Sequence, residues 1–147
     1  MADGTKIACR RNVAAASSNR PIRLRLSRTK GFSLQQASEA TNGLPAVNVA
    51  RPSKYGNPII KQDFDELQAI YAELGRRPIE GTWQQHAVKC FDAWLGGEIP
   101  ELGTPPTCEE IRRDLQGKNL ACWCKPGDLC HADVLLFIAN DGSEAKP

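Results

Sequence analysis

Hydrophobic and polar residues alternate near the start of the chain in the way expected of a strand with one buried face. Ile22, Leu24 and Leu26 are separated by two arginines, and successive side chains of a strand point to opposite faces of its sheet. Residues 46–50 and 119–124 are two further short runs bounded by turn-forming residues. The pattern therefore predicts three short strands.

Between and after the strands, apolar residues recur at the helical spacing. Residues 63–74 and 82–95 carry apolar side chains three and four positions apart, which predicts two amphipathic helices that end at glycines. Other signals predict either a helix or a loop over 32–41 and a short helix after Thr107. A final helix is predicted from Leu129 to Asn140.

Strands that alternate with helices are typical of an α/β fold, in which right-handed crossovers favour parallel pairing. With 147 residues, the chain is long enough for one core. We predict an α/β fold with a small, mainly parallel sheet of three or more short strands flanked by helices. In this organisation residues 1–20 are a flexible basic tail, 21–141 a single α/β domain and 142–147 a disordered tail.

Charge is distributed unevenly along the chain, although its 19 basic and 17 acidic residues nearly balance. Residues 1–30 contain eight basic residues and one acidic residue, a net charge of 8 − 1 = +7, and the remainder carries 11 − 16 = −5. A basic end on an acidic body indicates either attraction to a polyanion or pairing between the two parts. The first interpretation implies a nucleic-acid partner.

Localisation is inferred from what the sequence pattern lacks. Arg10 and Arg11 interrupt the early apolar stretch, so no secretory signal is evident to accompany the six cysteines. The longest apolar run, 134–139, is far shorter than the roughly 20 residues that span a bilayer. We therefore predict a cytoplasmic protein with no membrane partner. The basic, acid-poor start is also typical of an organellar transit peptide, which is the alternative.

The densest group of reactive side chains is predicted where the third strand ends. Alternate strand positions share one face, so Cys122 and Cys124 converge, and a tight turn brings Cys130 and His131 back toward them. Thiolates and imidazole are ligands that zinc prefers, which makes these four residues a candidate zinc site. Their spacing, C-x-C-x5-C-H, differs from the paired C-x2-C of common zinc folds. The alternative is that the cysteines are small buried hydrophobic residues.

The same segment also supports a catalytic interpretation. If Asp128 caps the last helix, Cys130 lies in the first helical turn, where unpaired backbone N–H groups and the helix dipole favour a thiolate. His131 could then act as acid, base or phosphate ligand, and Asp133 could orient His131 or assist proton transfer. Cys130, His131 and Asp133 are thus the candidate catalytic residues. The alternative for His131 is a polar residue of the first turn with no chemical role.

Two loops, residues 28–31 after the first predicted strand and residues 51–58 after the second, have the composition of a phosphate site. The loop 51–58 combines cations, hydrogen-bonding groups, the Tyr55 ring for stacking and Gly56 for close approach of a ligand. It lacks the glycine-rich patterns of the P-loop and of dinucleotide folds, and a purely structural turn is the alternative. If the strands are parallel, both loops and the Cys130–His131 turn share one edge of the sheet. The candidate phosphate- and ligand-binding residues are Arg28, Lys30, Arg51, Ser53, Lys54, Tyr55, Gly56 and Asn57.

Three motifs resemble an uncharacterised family of small bacterial and phage proteins, the domain of unknown function DUF4326. They are the RTKGF element of residues 28–32, the RPSKYGNP element of residues 51–58 and the CWC…CHADVL element within residues 120–136. The resemblance extends over about residues 22–140. It implies a phage-related protein with no settled reaction, and its motifs mark as functional positions Arg51, Lys54, Gly56, Asn57, Cys122, Cys124, Cys130, His131 and Asp133.

These observations lead to two functional hypotheses. In the first, the protein binds a phosphate-bearing ligand, a nucleotide or a nucleic-acid end, and processes it through Cys130 and His131. This requires Arg51 and Lys54 to lie within about 15 Å of those two residues, the span of one nucleotide-sized ligand. In the second, the protein is a non-enzymatic module, stapled by zinc, that binds nucleic acid or protein and contacts phosphates through its basic tail.

Overall fold

Three short strands form one parallel sheet in the computed structural model, which describes residues 20–125 and 127–141. The strands are β1 (Arg23–Arg25), β2 (Ala46–Asn48) and β3 (Asn119–Cys122), and their order in the sheet is β1-β3-β2. The helices are α1 (Leu34–Asn42), α2 (Lys61–Glu73), α3 (Trp83–Leu95), α4 (Cys108–Leu115) and α5 (His131–Leu136), with a 3-10 turn at Pro100–Leu102 and a π-helical turn at Phe137–Asp141. The predicted small α/β fold with a parallel sheet is confirmed. Residues 1–19 and 142–147 of the predicted tails lie outside the described residues.

The central strand β3 is buried along its whole length. A parallel strand between two others is covered on both faces, and Leu120 and Ala121 accordingly have no exposed surface. Beyond the ends of β1 and β2, the N–H of Leu26 donates to the Cys122 carbonyl and that of Val49 to the Ala121 carbonyl, both at 2.9 Å. These bonds keep the carboxyl ends of the three strands together at one edge of the sheet.

Local sequence signals set the helix boundaries. Helices α3 and α4 begin with capping boxes, in which Thr82 pairs with Gln85 and Thr107 with Glu110. Each hydroxyl accepts from a backbone N–H of the first turn, and each longer side chain accepts from the cap N–H. Helix α1 ends at Gly43, whose φ of 80° is a left-handed value that glycine adopts at little cost. Every helix predicted from the sequence is present, with ends shifted by a few residues.

The last helix begins later than predicted. Its N-cap is Cys130 and not Asp128. Asp128 is held in the preceding turn, where its N–H donates to the Lys125 carbonyl at 3.0 Å and its carbonyl accepts from Arg23 Nη2 at 2.8 Å. Of the two residues predicted in the first helical turn, His131 lies there and Cys130 lies just before it.

A fully buried asparagine ties the other edge of the sheet together. Asn119, the first residue of β3, donates its side-chain amide to Ser38 Oγ at 2.7 Å and to Asn42 Oδ1 at 2.8 Å. Its side-chain oxygen accepts from the N–H of Ile22 at 2.9 Å. The network joins α1 to β3 and to the start of β1 at the edge opposite the strands' carboxyl ends.

The hydrophobic core is built mostly by the second half of the chain. Burial of one large aliphatic or aromatic side chain stabilises a fold by about 1.5–3 kcal/mol. Among the described residues, the large apolar side chains with almost no exposed surface are Phe91, Ile111, Leu115, Leu120, Leu135 and Ile138. No helix among the described residues is long and apolar enough to cross a membrane.

Candidate functional site

A pocket of about 430 Å³ opens at the carboxyl edge of the sheet. Each strand contributes to its walls, because Arg25 ends β1, Arg51 follows β2, Cys122 ends β3, and residues 123–125 and 128–131 follow it. The first turns of α3 supply Trp83 and Ala87. The parallel sheet thus brings Arg51 and the Cys130–His131 turn to one pocket, as the loop positions predicted. Lys54, the other cation named for that site, is not part of the lining as the structure describes it.

Three sulfur atoms meet at one wall of this pocket. The Sγ atoms of Cys122, Cys124 and Cys130, called here the thiol cluster, all lie within 4.8 Å of one another. The Cys122 and Cys124 sulfurs are 3.9 Å apart. Cys122 ends β3, whereas Cys124 lies beyond the strand, so the two converge through the bend after β3 rather than through strand alternation. The thiol cluster could hold a metal ion.

His131 presents one ring nitrogen to the thiol cluster and the other to the backbone. Its Nε2 lies 2.9 Å from the Val49 carbonyl oxygen, and because a carbonyl can only accept, Nε2 carries the proton and donates it. Nδ1 is left with its lone pair and lies 3.8 Å from Cys130 Sγ. The ring is 5% exposed and packs edge-on to Phe91 at a centroid distance of 5.0 Å. This imidazole is therefore fixed in orientation.

The thiol cluster favours a single negative charge on Cys122. Hydrogen bonds from the thiols of Cys124 and Cys130 lower the pKa of Cys122, against the opposing effect of burial. The same bonds raise the pKa of Cys130 and of Cys124, because each of these thiols must keep its proton to donate it. The guanidinium of Arg23 opposes the rise at Cys124.

The surroundings of Cys130 oppose the thiolate predicted for it. Only 2% of this residue is exposed, and it is the donor to Cys122 rather than the charged member of the cluster. Cys130 Sγ also accepts a hydrogen bond from the N–H of Ala132 at 3.4 Å. The physical reason is that a cap residue flanked by two other thiols shares its proton with them, an effect that the helix dipole alone did not include.

Asp133 does not take the role expected from its position. Its carboxylate lies 3.3 Å from Arg23 Nε and its side chain is 50% exposed. Both ring nitrogens of His131 face other groups, the Val49 carbonyl and Cys130 Sγ. Asp133 therefore anchors Arg23, and the prediction that it orients His131 is wrong.

The RPSKYGNP loop packs mainly against itself. Arg51 Nη1 donates to the Asn57 carbonyl at 2.7 Å, which closes the loop. Asn57 is 7% exposed, and its side chain accepts from the N–H of Ile59 and donates to the Ala87 carbonyl. A Cβ at Gly56 would lie 2.9 Å from the Arg51 backbone. A glycine at position 56 therefore permits the close approach of the backbone to Arg51. This contact explains the glycine without the predicted approach of a ligand.

Tyr55, Lys54 and Ser53 face α4 or the loop rather than the pocket. Tyr55 is 5% exposed, and its hydroxyl bonds the Glu110 carbonyl and the Asp114 carboxylate, so the structure contradicts a stacking role for its ring. Burial and Asp114 raise the pKa of Tyr55. Lys54 Nζ lies 3.3 Å from the Glu110 carboxylate, and Ser53 Oγ accepts from the Tyr55 N–H. The motif's polar residues thus largely hold the loop on α4.

The loop after β1 contributes indirectly to the pocket. Arg28 places its guanidinium 4.2 Å from the ring centroid of Trp123, which lines the pocket. Lys30 is exposed in the following turn. In the described part of the chain, neither basic residue lines the pocket itself.

Sequence reasoning missed several residues that line the pocket, among them two tryptophans and two basic residues. Trp83, Trp123, Arg25 and Lys125 are all in its walls. Arg25 lies at the end of β1, so the expected convergence of the strand ends was a signal for it. Trp123 and Lys125 lie directly beside Cys124 in the sequence.

Comparison with known proteins gives one match. The family described as domain of unknown function (DUF4326) matches residues 32–141, a span that contains the RPSKYGNP loop, the thiol cluster and His131. The RTKGF element begins before the matched region. No curated protein and no solved structure matches the chain.

Proposed function

We propose that this chain, which belongs to the family described as domain of unknown function (DUF4326), is a zinc-stapled module that binds a phosphate-bearing ligand. The ligand would be a nucleotide or a nucleic-acid end held in the pocket beside the thiol cluster. The observation that carries the proposal is the meeting of three thiols and an oriented imidazole at a wall of a pocket whose other walls bear cations.

The spacing of the sulfurs supports zinc. Tetrahedral zinc with Zn–S bonds of about 2.3 Å requires its sulfur ligands to lie about 3.8 Å apart. The Cys122 and Cys124 sulfurs are 3.9 Å apart. The backbone N–H of Ala132, which donates to Cys130 Sγ at 3.4 Å, is the kind of hydrogen bond that accompanies a metal-bound sulfur.

His131 supplies the fourth ligand in this proposal. A zinc-bound histidine typically donates its second ring N–H to a carbonyl or carboxylate, which fixes the tautomer and the ring orientation. His131 already makes that bond, from Nε2 to the Val49 carbonyl at 2.9 Å. The free lone pair of Nδ1 faces the Cys130 sulfur. Two neighbouring residues of a helix would point in different directions. Cys130 and His131 can face one metal ion because Cys130 precedes α5 and His131 is its first residue.

Four protein ligands make a closed site, which is the structural type of zinc centre. The metal would staple the end of β3 to the start of α5 and so shape the pocket wall. Such a site leaves neither Cys130 nor His131 available as nucleophile or general base. With His131 as the fourth ligand, the proposal therefore favours the non-enzymatic hypothesis over processing of the ligand by a Cys/His pair.

Cations on the pocket walls support a phosphate-bearing ligand. The lining includes Arg25, Arg51 and Lys125 and one acidic residue, Asp128. Their formal sum is 3 − 1 = +2. Guanidinium groups bind phosphate oxygens through paired N–H donors, and a pocket of about 430 Å³ falls in the range that accommodates a nucleotide.

Metal content tests the first half of the proposal. Untagged protein purified without chelator should contain close to one zinc per chain by elemental analysis. Cys124→Ser and His131→Asn should each lower the zinc affinity by at least about tenfold, because each removes one ligand. Cys90→Ser and His86→Asn are matched controls, since this second Cys/His pair lies on α3, 3.4 Å apart, away from the cluster. Zinc affinity unchanged in both ligand variants would contradict the metal site.

Phosphate binding tests the second half. Zinc-loaded protein should bind ribose 5-phosphate in calorimetric titration, and Arg25→Gln should weaken that binding about tenfold by removing one charged contact. Arg77→Gln, an exposed arginine in the loop after α2, is the control and should have no effect. A zinc-loaded protein that binds no phosphate compound would leave the metal centre standing and overturn the ligand.

A further inference from the structure

Trp123 is an exposed tryptophan held at the mouth of the pocket. It is 40% exposed, whereas Trp94 is buried at 6% and bonded to the Gly103 carbonyl. Trp123 lies between two cysteines whose sulfurs turn toward each other. The indole lines the same pocket as these cysteines.

Two neighbours make this indole part of a defined surface. The guanidinium of Arg28 lies 4.2 Å from the ring centroid, a cation–π contact that restrains the ring. Leu129, also exposed at 48%, lines the same pocket. The pocket mouth thus has a flat apolar side, while Arg25 and Arg51 lie on other parts of its lining.

We infer that the base of the ligand stacks on Trp123, which makes this residue the one that selects a nucleoside phosphate over a phosphate compound without a base. This rests on the phosphate-binding function proposed above and adds the base as the second recognition element. Bases stack on aromatic side chains with little dependence on sequence, because every base has a π face. Tyr55, the stacking residue expected from the sequence, cannot take this role because its ring is buried.

The chemistry of the walls separates a nucleoside phosphate from simpler anions. Inorganic phosphate or a sugar phosphate would satisfy Arg25 and Arg51 but leave the indole and Leu129 exposed to water. A base stacked on Trp123 removes that apolar surface from water and adds contact to a ring already restrained by Arg28. Trp123 is therefore a specificity-determining residue, and the arginines provide the charge.

Calorimetric titration of zinc-loaded protein with AMP, ribose 5-phosphate and inorganic phosphate tests the inference. AMP should bind at least about tenfold more tightly than ribose 5-phosphate, and Trp123→Leu should remove this difference by weakening AMP binding. Trp123→Phe should restore part of it, since a smaller ring still stacks. Tyr71→Leu is the matched control, because Tyr71 on α2 also carries an arginine over its ring, Arg76 at 5.4 Å.

The outcomes distinguish this inference from the proposed function. Equal affinities for AMP and ribose 5-phosphate, or AMP binding unchanged in Trp123→Leu with its zinc retained, would overturn stacking and leave phosphate binding standing. If neither compound binds, both proposals fall. A 5′-phosphorylated trinucleotide that binds more tightly than AMP would identify the source as a nucleic-acid end, and equal affinities would identify a free nucleotide.

Discussion

Tyr55 illustrates how burial decides what an aromatic residue can do. Its place in a loop rich in cations favoured a ligand-stacking role, but its ring is 5% exposed and its hydroxyl is committed to the Glu110 carbonyl and Asp114. Trp123, which the sequence did not single out as a ligand-binding residue, is exposed and lines the pocket. The groups around an aromatic side chain thus decide whether it can stack on a ligand. For Tyr55 those groups belong to α4, more than 50 positions away in the sequence.

Tyr55→Phe should destabilise the fold without changing the pocket. Removing the hydroxyl leaves two acceptors on α4 without their donor, which costs about 1–2 kcal/mol of the free energy of unfolding. Chemical denaturation at pH 7 measures the change. Tyr71→Phe, the other tyrosine of the chain, is the matched control and should cost less. A Tyr55→Phe variant as stable as the parent would contradict the bonding to α4.

The destabilisation by Tyr55→Phe should also depend on pH. Arg113 is the largest cause that lowers the pKa of Asp114 below its ordinary value of 3.8, and the Tyr55 hydroxyl is the second. A carboxyl whose pKa is depressed in the folded state stabilises the fold above its ordinary pKa and loses this effect as the pH falls toward the folded-state pKa. The difference between the variant and the parent should therefore narrow below about pH 4.

At the element scale, α1 depends on one polar residue of β3. Asn119 is fully buried and bonds Ser38 and Asn42 of α1 and the backbone at Ile22. Asn119→Ala should lower the free energy of unfolding by about 3 kcal/mol, because it leaves several buried polar groups unpaired. Denaturant titration checks this, and a double-mutant cycle with Asn42→Ala should be strongly non-additive. Zinc content of the folded variant should be unchanged, since this network lies at the opposite edge of the sheet.

The sequence predicted the elements better than it predicted their ends and their contacts. Period-2 and helical spacings, capping boxes and glycine stops are local signals, so they located the strands and helices, and the alternation of the two predicted parallel pairing. The order of the strands in the sheet was not predicted. The cap of α5 was misassigned because Asp128 is held by Arg23, a contact across 105 positions. The convergence of the cysteines was anticipated, but the shared proton that raises the pKa of Cys130 is a property of three thiols together.

At the scale of the whole molecule, the carboxyl edge of the sheet collects the candidate chemistry. Arg25, Arg51 and the thiol cluster come from three separate parts of the chain, and the parallel order β1-β3-β2 is what brings them to one pocket. Loops of a parallel sheet emerge together only because each crossover returns the chain to the same side. Deletions or insertions in α1 or α4 would therefore alter the pocket without touching a residue in its walls.

The excess of basic residues at the start of the chain gives the last prediction. Residues 1–20 contribute Lys6, Arg10, Arg11 and Arg20 against Asp3. If they attract a polyanion, the full chain should bind single-stranded DNA with an affinity that falls steeply as salt increases. Deleting residues 1–20 should then reduce the slope of log K against log salt concentration by up to about three. AMP binding at the pocket should stay within about twofold of the parent. A deletion that leaves the salt slope unchanged would instead support pairing between the basic start and the acidic remainder of the chain, and one that abolishes AMP binding would contradict a self-sufficient pocket.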